Sequence, residues 1–362
     1  MTSKIEGKIS LSISGESHGE FLEGIISGLP KGEAINADYI ALQMSRRAPG
    51  QDNTTTPRKE ADLVEITEGV LDGFTTGEDI KIIIRNSNQH SSDYEKIKNT
   101  PRPSHADYPA FVKFGGQADM RGGGHYSGRL TAVLTALGAI CRQILERRGI
   151  TIGGHIYNIG ESFDNTLDSV NITKETLENL SNRYFSTISE EAKEDMVNTI
   201  LDAKSDEDSI GGTVEVAVLG MPVGIGNHMF GGVENMISRM VYAVPAVKGV
   251  AFGAGFDYSY LRGSEANDAF YVKDGKVLTA TNNCGGILGG MTNGMPVIVK
   301  AALKPTPSIN KVQNTVNLET MENVLLTVGG RHDPCIVARA LPAVEAAVAI
   351  AVTMLLAEDN AL

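Results

Sequence analysis

The chain has 362 residues, of which 41% are hydrophobic and 21% charged, the composition of a globular enzyme with a large core. A formal net charge of −12 argues against a general nucleic-acid binder, and three cysteines without paired spacing argue against a disulfide framework and for a reducing, cytoplasmic setting. No charged leader with an apolar stretch opens the sequence, and the longest apolar run, Ala346 to Ala357, is too short to span a bilayer and reads as a buried C-terminal helix.

Residues 5–14 alternate as a strand does, and Phe21 to Leu29 reads as a second strand ending in a Gly-Leu-Pro turn. Between them lies Gly15-Glu-Ser-His-Gly19. A histidine in such a turn is placed to act as a general acid, because its pKa lies near neutrality. The same residues match G-x-S-x-G, the hydrolase nucleophile pattern that would make Ser17 reactive. That elbow needs a strand, a sharp turn and a helix, whereas a second strand follows here. Asn36 caps a predicted helix that runs to about Arg47 and stops before Pro49.

Ser45 to Glu60 (S-R-R-A-P-G-Q-D-N-T-T-T-P-R-K-E) sets Arg46 and Arg47 among small, proline and hydroxyl residues. Arg121 to Arg129 (R-G-G-G-H-Y-S-G-R) and Arg331 to Cys335 (R-H-D-P-C) do the same for Arg129 and Arg331. No acids in these stretches neutralise the arginines, and an arginine without a carboxylate partner is free to grip an anion through two parallel hydrogen bonds. The expectation is an enzyme for a small, multiply anionic substrate.

Residues 63–85 read as two strands joined through Gly73 to Gly77. In Pro101-Arg-Pro-Ser-His-Ala-Asp107 the prolines stiffen a loop that lets Asp107 orient the imidazole of His105. The glycines of Arg121 to Gly124 precede a helix and are candidates for a backbone N–H nest. That helix is predicted from Leu130, Val133, Leu134, Leu137, Ile140, Cys141, Ile144 and Leu145, and Gly149 closes it.

Residues 161–208 carry 13 acidic against 4 basic residues and read as polar helices on a solvated outer face. Strands resume at Gly212 to Leu219, Gly249 to Gly255 and Met295 to Leu303. Lys304-Pro-Thr-Pro-Ser308, a lysine and two hydroxyls on a stiff segment, suits a phosphate monoester. A final helix starts near Ala343. Gly28-Leu-Pro-Lys-Gly32 and Gly220-Met-Pro-Val-Gly224 each follow a strand and precede a helix. They suggest two similar halves, about 1–150 and 205–362, in one domain. The chain has no P-loop, no dinucleotide fingerprint and no metal spacing among its histidines, so no metal is expected. Taken singly, each site motif reads equally well as a structural turn.

Together, however, G-E-S-H-G, R-R-x-P-G with T-T-P-R-K-E, R-P-x-H-A-D-Y, R-G-G-G, G-G-I-L-G-G, K-P-T and G-R-H-D-P-C resemble chorismate synthase, in that family's order from Gly15 to Arg339. The resemblance implies an α+β fold, a β-α-β sandwich with internal pseudo-twofold symmetry, assembled as a homotetramer. It implies 1,4-elimination of phosphate and a ring hydrogen from 5-enolpyruvylshikimate 3-phosphate, giving chorismate for aromatic amino acid biosynthesis. Reduced FMN is required without net redox change. By resemblance, Arg47, Arg129 and Arg331 hold substrate, with Arg46 beside them. His18 supports phosphate departure, His105 protonates the reduced flavin, and Asp333 helps remove the ring proton. FMN would meet His125, Tyr126, Ser127, Pro245, Ala246, Gly289, Lys304, Pro305, Thr306, Pro307, Ser308 and Arg331.

The chain departs from the family pattern where His125-Tyr126 replaces the Arg-Ser of many members and Pro307 a serine, which implies weaker or more pH-sensitive FMN binding. Some members reduce their own flavin with NADPH (hence NADP). The moderate length and absence of an extra domain here favour an external flavin reductase. Two other classes compete: a flavin-independent phosphatase or hydrolase using Ser17, and an idle flavin-binding protein.

Overall fold

The computed structural model describes residues 1–56, 62–86, 99–329 and 332–362. Arg58 to Glu60 of the T-T-P-R-K-E motif, His90 and Arg331 lie outside them.

Two five-stranded antiparallel sheets sandwich a layer of helices. The first contains β1 (Thr2–Ile5), β2 (Ser10–Ser14), β3 (Phe21–Ser27), β4 (Val64–Glu68) and β5 (Ile80–Arg85), in the order β1-β2-β3-β5-β4. The second contains β6 (Thr151–Ile159), β7 (Ser162–Phe163), β8 (Gly212–Leu219), β9 (Val247–Phe252) and β10 (Val297–Leu303), in the order β9-β10-β8-β6-β7. Between the sheets run α1 (Ala37–Arg47), α3 (Thr131–Arg147), α6 (Val233–Val241) and α7 (Val337–Glu358); α2 (Asp107–Phe114), α4 (Lys174–Ser181) and α5 (Glu190–Ser205) lie between these in sequence.

The two halves share one connectivity. In the first, β2, β3, α1, β4, β5 and α3 follow in sequence and the strands pair 2-3-5-4. In the second, β6, β8, α6, β9, β10 and α7 follow, and the strands pair 6-8-10-9. Gly28 and Gly220 end the equivalent strands β3 and β8. Both have positive φ (85° and 81°), and a Cβ on either would lie about 2 Å from a neighbouring carbonyl oxygen, that of Lys8 or of Gly149. Only glycine meets both conditions. The second sheet begins earlier than the expected boundary at 205. Its strand β6 precedes the acidic segment, which is inserted between β6 and β8.

Alternation builds the sheets' inner faces: Ile80, Ile82 and Ile84 of β5 are fully buried, while Arg85 is exposed. Every residue of α3 from Thr131 to Leu145 is buried. Complete burial of one Leu or Ile side chain contributes about 1.5–3 kcal/mol. Where α3 meets α7, a Cβ on Gly138 would lie 2.3 Å from the Cβ of Ala346, so the two backbones cross with almost nothing between them.

The predicted spans at α1, α3, β8, β9 and β10 agree with the structure to within a few residues, and Asn36 does cap α1, accepting from Asp38 N at 2.8 Å. Three elements differ. The stretch 5–14 is split into the ends of a hairpin, because the turn at Lys8 is tied to the end of α7: Lys8 N donates to Glu358 Oε1 at 3.0 Å. Strand β6 was not anticipated. Its Thr-Ile-Gly-Gly-His sequence has no alternation, and it is buried on both faces. The last helix starts at Val337, six residues before the expected Ala343, and carries Pro342 in its second turn. At 22 residues it is long and apolar enough to cross a membrane, but 94% of its most apolar window is buried inside the protein, as a core helix is. The segment 161–208 is acidic outside and apolar inside: Leu177, Leu180, Met196 and Ile200 are buried.

Candidate active site

A cavity of about 830 Å³ opens at the N-terminal ends of α3 and α7. Its size suits a cofactor and a small substrate together, and two helix N-termini favour negative charge there. The first half of the chain contributes Ser17, His18, Arg47, His105, His125, Tyr126, Ser127 and Arg129. The second contributes Pro245, Ala246, Lys248, Lys304, Thr306, Pro307, Ser308, His332, Asp333 and Arg339.

His18 sits in the turn between β2 and β3, 6% exposed. Gly122 (φ 62°) faces it so closely that a Cβ would lie 2.6 Å from His18 Nε2 and 2.8 Å from Ser17 Oγ. Gly123 faces the second histidine, with its would-be Cβ 3.4 Å from His105 Nε2. The triple-glycine turn thus brings backbone against both imidazoles, and a side chain at Gly122 would collide with His18. Gly123 N is bonded to Met120 O at 2.9 Å, so the turn is not an open N–H nest. The turn holding Ser17 joins two antiparallel strands. The strand-to-helix elbow that a serine hydrolase requires is therefore not present at Ser17.

His105 Nδ1 lies 2.6 Å from Asp107 Oδ1, which can only accept, and 3.0 Å from Arg102 Nη2, which can only donate; Nε2 is the ring atom on the Gly123 side. Arg102 grips the same carboxylate with Nε (2.7 Å) and Nη2 (2.8 Å) and reaches Ser308 Oγ at 3.3 Å. Burial pushes the Asp107 carboxyl up, but hydrogen bonds from Arg102 and His105 outweigh it and hold the pKa below the usual range. Asp107 stays ionised and orients the His105 ring.

Arg47 and Arg129 flank one buried carboxylate. Arg47 Nη1 donates to Asp62 Oδ2 at 2.6 Å, and Arg129 Nη1 pairs with Asp62 Oδ1. Burial raises the Asp62 pKa, but the two guanidinium charges overcome this and lower it. The expectation that these arginines have no acid partner is thereby corrected: the acid lies outside the motifs, brought in by the fold. Arg46 is a second correction. It does not line the cavity but turns into the helix layer, where Nη1 meets Glu345 Oε2 at 2.5 Å and Nε donates to Arg183 O at 3.1 Å. It is 2% exposed and spoken for by the core.

Asp333 Oδ1 accepts from Thr56 N at 3.0 Å, and Oδ2 pairs with Arg339 Nη1. Arg339 Nε donates to Arg47 O at 3.1 Å, tying α7 to the end of α1. His332 is lowered in pKa by burial and by the Arg102 charge, and its Nε2 has no hydrogen-bond partner among the described residues. Cys335 is inert: burial pushes its thiol up to about 12.

On the opposite wall, Lys304 is lowered by burial and by the Lys248 charge, and its Nζ contacts Ser104 O. Lys304 N donates to Ala246 O at 2.9 Å, and Ala246 holds a left-handed φ of 74°, which an alanine adopts only under tertiary constraint. His125 is turned toward the N-terminal strands: Nδ1 donates to Gly15 O and Nε2 accepts from Ser3 Oγ, both at 2.8 Å. Pro305 does not line the cavity, and Gly289 lies exposed in a small hairpin loop outside it. Among the described residues no group of three His, Cys, Asp or Glu is placed to hold a metal. Asp62 and Arg339 were not given a role from the sequence, and Arg102 and His332 stand inside quoted motifs without a role assigned to them.

Fold and site together bring paired cations and two histidines to one cavity, the arrangement of an enzyme suited to an anionic substrate. The chorismate synthase family model matches residues 9–356. A chorismate synthase of Thermococcus kodakarensis is 44% identical over 349 residues, covering 96% of each chain. One of Dehalococcoides mccartyi is 42% identical over 346 residues, covering 96% of this chain and 94% of its own. A crystal structure of chorismate synthase superposes with a TM-score of 0.75 at 27% identity, covering 97% of this chain and 92% of the other. The chain belongs to the chorismate synthase family and is a lyase.

Proposed function

We propose that this protein eliminates phosphate and a ring hydrogen from 5-enolpyruvylshikimate 3-phosphate to form chorismate, with reduced FMN bound in the same cavity. The observation that carries this reading is the convergence of His18, His105 and Asp333 with Arg47 and Arg129 on one cavity, from both halves of the chain.

The residues present fit a flavin phosphate. Thr306 Oγ1 is buried with no partner among the described residues, beside two lysines whose mutual repulsion an anion would relieve. Lys304, Thr306 and Ser308 would hold the phosphate, with Tyr126, Ser127, Pro245 and Ala246 along the ring system. Reduced FMN, when bound, supplies transient electron density that side chains cannot. Arg47 and Arg129 orient the substrate carboxylates, with Arg331 adjacent in sequence to the same wall. His18 donates a hydrogen bond from its imidazole to the departing phosphate, stabilising the charge that develops there. His105 holds a proton at Nε2 for the flavin, with Asp107 fixing Nδ1. Asp333, gripped by Thr56 and Arg339, accepts the ring proton at its carboxylate. The same reading extends to a cytoplasmic homotetramer supplied with reduced flavin by a separate reductase, rather than one that oxidises NADPH itself.

The test is anaerobic phosphate release from 5-enolpyruvylshikimate 3-phosphate, with and without photoreduced FMN. Release only with reduced flavin, matched by chorismate, is expected. Release without flavin would sink the reading.

A further inference from the structure

We infer that His125 is a positioning residue for His18, tying the Gly15 to Gly19 turn to strand β1, an inference that rests on the proposal that His18 supports phosphate departure. Both ring nitrogens of His125 are committed to the protein. Gly15 O can only accept, so Nδ1 donates to it at 2.8 Å, and Nε2 accepts from Ser3 Oγ at 2.8 Å. Ser3 lies in β1, at the edge of the first sheet, where it pairs with β2. Gly15 opens the turn that carries His18, and its own N–H donates to Met1 O at 3.2 Å. The residues before His125 meet the same turn: Ser17 N donates to Gly124 O at 3.1 Å, and Gly122 packs against the His18 ring. The two segments thus run past each other in opposite directions, Gly122 at His18, Gly124 at Ser17 and His125 at Gly15.

The contact at Gly122 limits His18 from one side, since close packing repels but does not pull. The hydrogen bonds to Gly124 and His125 supply the pull. The first is made by backbone and survives any change of side chain; the second is the tie that a substitution removes. Imidazole suits the position because its neutral form donates at one end and accepts at the other, matching a carbonyl and a hydroxyl. The ring is rigid, so it sets the distance between β1 and the turn. Its one N–H is spent on Gly15, and none is left to donate to a flavin. His125 therefore acts on the chemistry through the placement of His18, although it lines the same cavity.

Two amides divide the ring's contacts between them. Asn places its N–H near the Nδ1 position and keeps the bond to Gly15; Gln reaches the Nε2 position and keeps only the contact with Ser3. At saturating reduced FMN and 5-enolpyruvylshikimate 3-phosphate, His125→Gln should lower kcat by about tenfold or more, since misplacement by 1 Å is worth up to about 100-fold. His125→Asn should lower it by about threefold, the worth of one neutral hydrogen bond. The Kd of FMN, read by flavin fluorescence, should stay within about threefold in both, because neither removes a flavin contact. Equal kcat in the two variants would overturn the inference. So would a Kd raised about tenfold with kcat unchanged at saturation, the behaviour of a flavin ligand. If His125→Gln does not fold, Ser3→Ala and His125→Asn carry the test. Each removes the same bond, so each should cost about threefold in kcat and the double variant no more; a multiplied loss, or none, would overturn the inference. His18→Gln tests the underlying reading separately. If kcat survives it, the role of His18 fails whatever His125 does.

Discussion

Arg46 and Arg47 are neighbours in α1, yet their guanidinium groups join two different clusters. Consecutive helix residues point about 100° apart, so one turns inward and the other toward the cavity. Around Glu345, Arg46 and Arg142 are bonded by Gln43, Ser181 and the backbone carbonyls of Arg183 and Ile152, and the group is closed to solvent. Around Asp62, Arg47 and Arg129 are equally buried but form a cavity wall. Both clusters pair two arginines with one carboxylate. What separates them is their place in the fold. The closed cluster lies inside the helix layer and ties helices to helices; the other forms part of the cavity wall.

The sharpest way to break this comparison is to remove the acid of the closed cluster. Glu345→Gln leaves two cations buried without a counter-charge, and we expect a loss of about 3–5 kcal/mol of stability. Denaturant unfolding measures it, and KM of the folded fraction should stay within about threefold. A kinetic defect without destabilisation would erase the distinction. Next in size is a cavity histidine. His105→Asn should lower kcat by about 100-fold or more, the worth of a positioned proton donor, while unfolding midpoints barely move. A smaller effect is expected at Gly122. Alanine there carries a left-handed backbone cost of about 1–2 kcal/mol. Its methyl would also push on His18, so kcat should fall about tenfold or more, since misplacement by even 1 Å is worth up to 100-fold.

The smallest expected effect concerns a second closed cluster. His155 is fully buried between Asp164 (3.1 Å from Nδ1) and Glu215 (3.0 Å from Nε2). Burial pulls its pKa down, but the two carboxylates overcome this and raise it. A raised histidine contributes stability that is fully present below its unfolded value, near 6.5, and that is lost as pH rises through the folded value. Unfolding free energy should therefore fall above pH 6.5, by at most about 1.4 kcal/mol per pH unit for one proton, and His155→Gln should flatten that slope. Asp62 and Asp107, both lowered, act with the opposite sign: their stability is present above pH 4 and is lost in acid.

Sequence patterns carried the elements that have a regular apolar spacing or a cap residue. The i, i+3, i+4 spacing of α3 and the Asn36 cap of α1 are local signals, and both were legible. Strand β6 was not, because a strand buried on two faces loses its alternation, and Gly153 and Gly154 are there for close packing: a Cβ on Gly154 would lie 2.5 Å from Glu215 O. The site divided the same way. His105 and Asp107 are two residues apart and their pairing was foreseeable. Asp62 and Arg339 reach their partners from 15 residues or more away, or by turning back along a helix, so nothing local marks them. Arg46 misled because motif membership does not specify which side of a helix a residue occupies.

The contact between Gly138 and Ala346 sets the gauge of the machine. His18 and His105 ride on one half of the chain, Lys304 and Asp333 on the other, and α3 and α7 are the two jaws that meet where a single hydrogen takes the place of a side chain. A methyl at Gly138 would force α3 and α7 apart where they cross, so a residue that does not line the cavity bears on how the two halves meet.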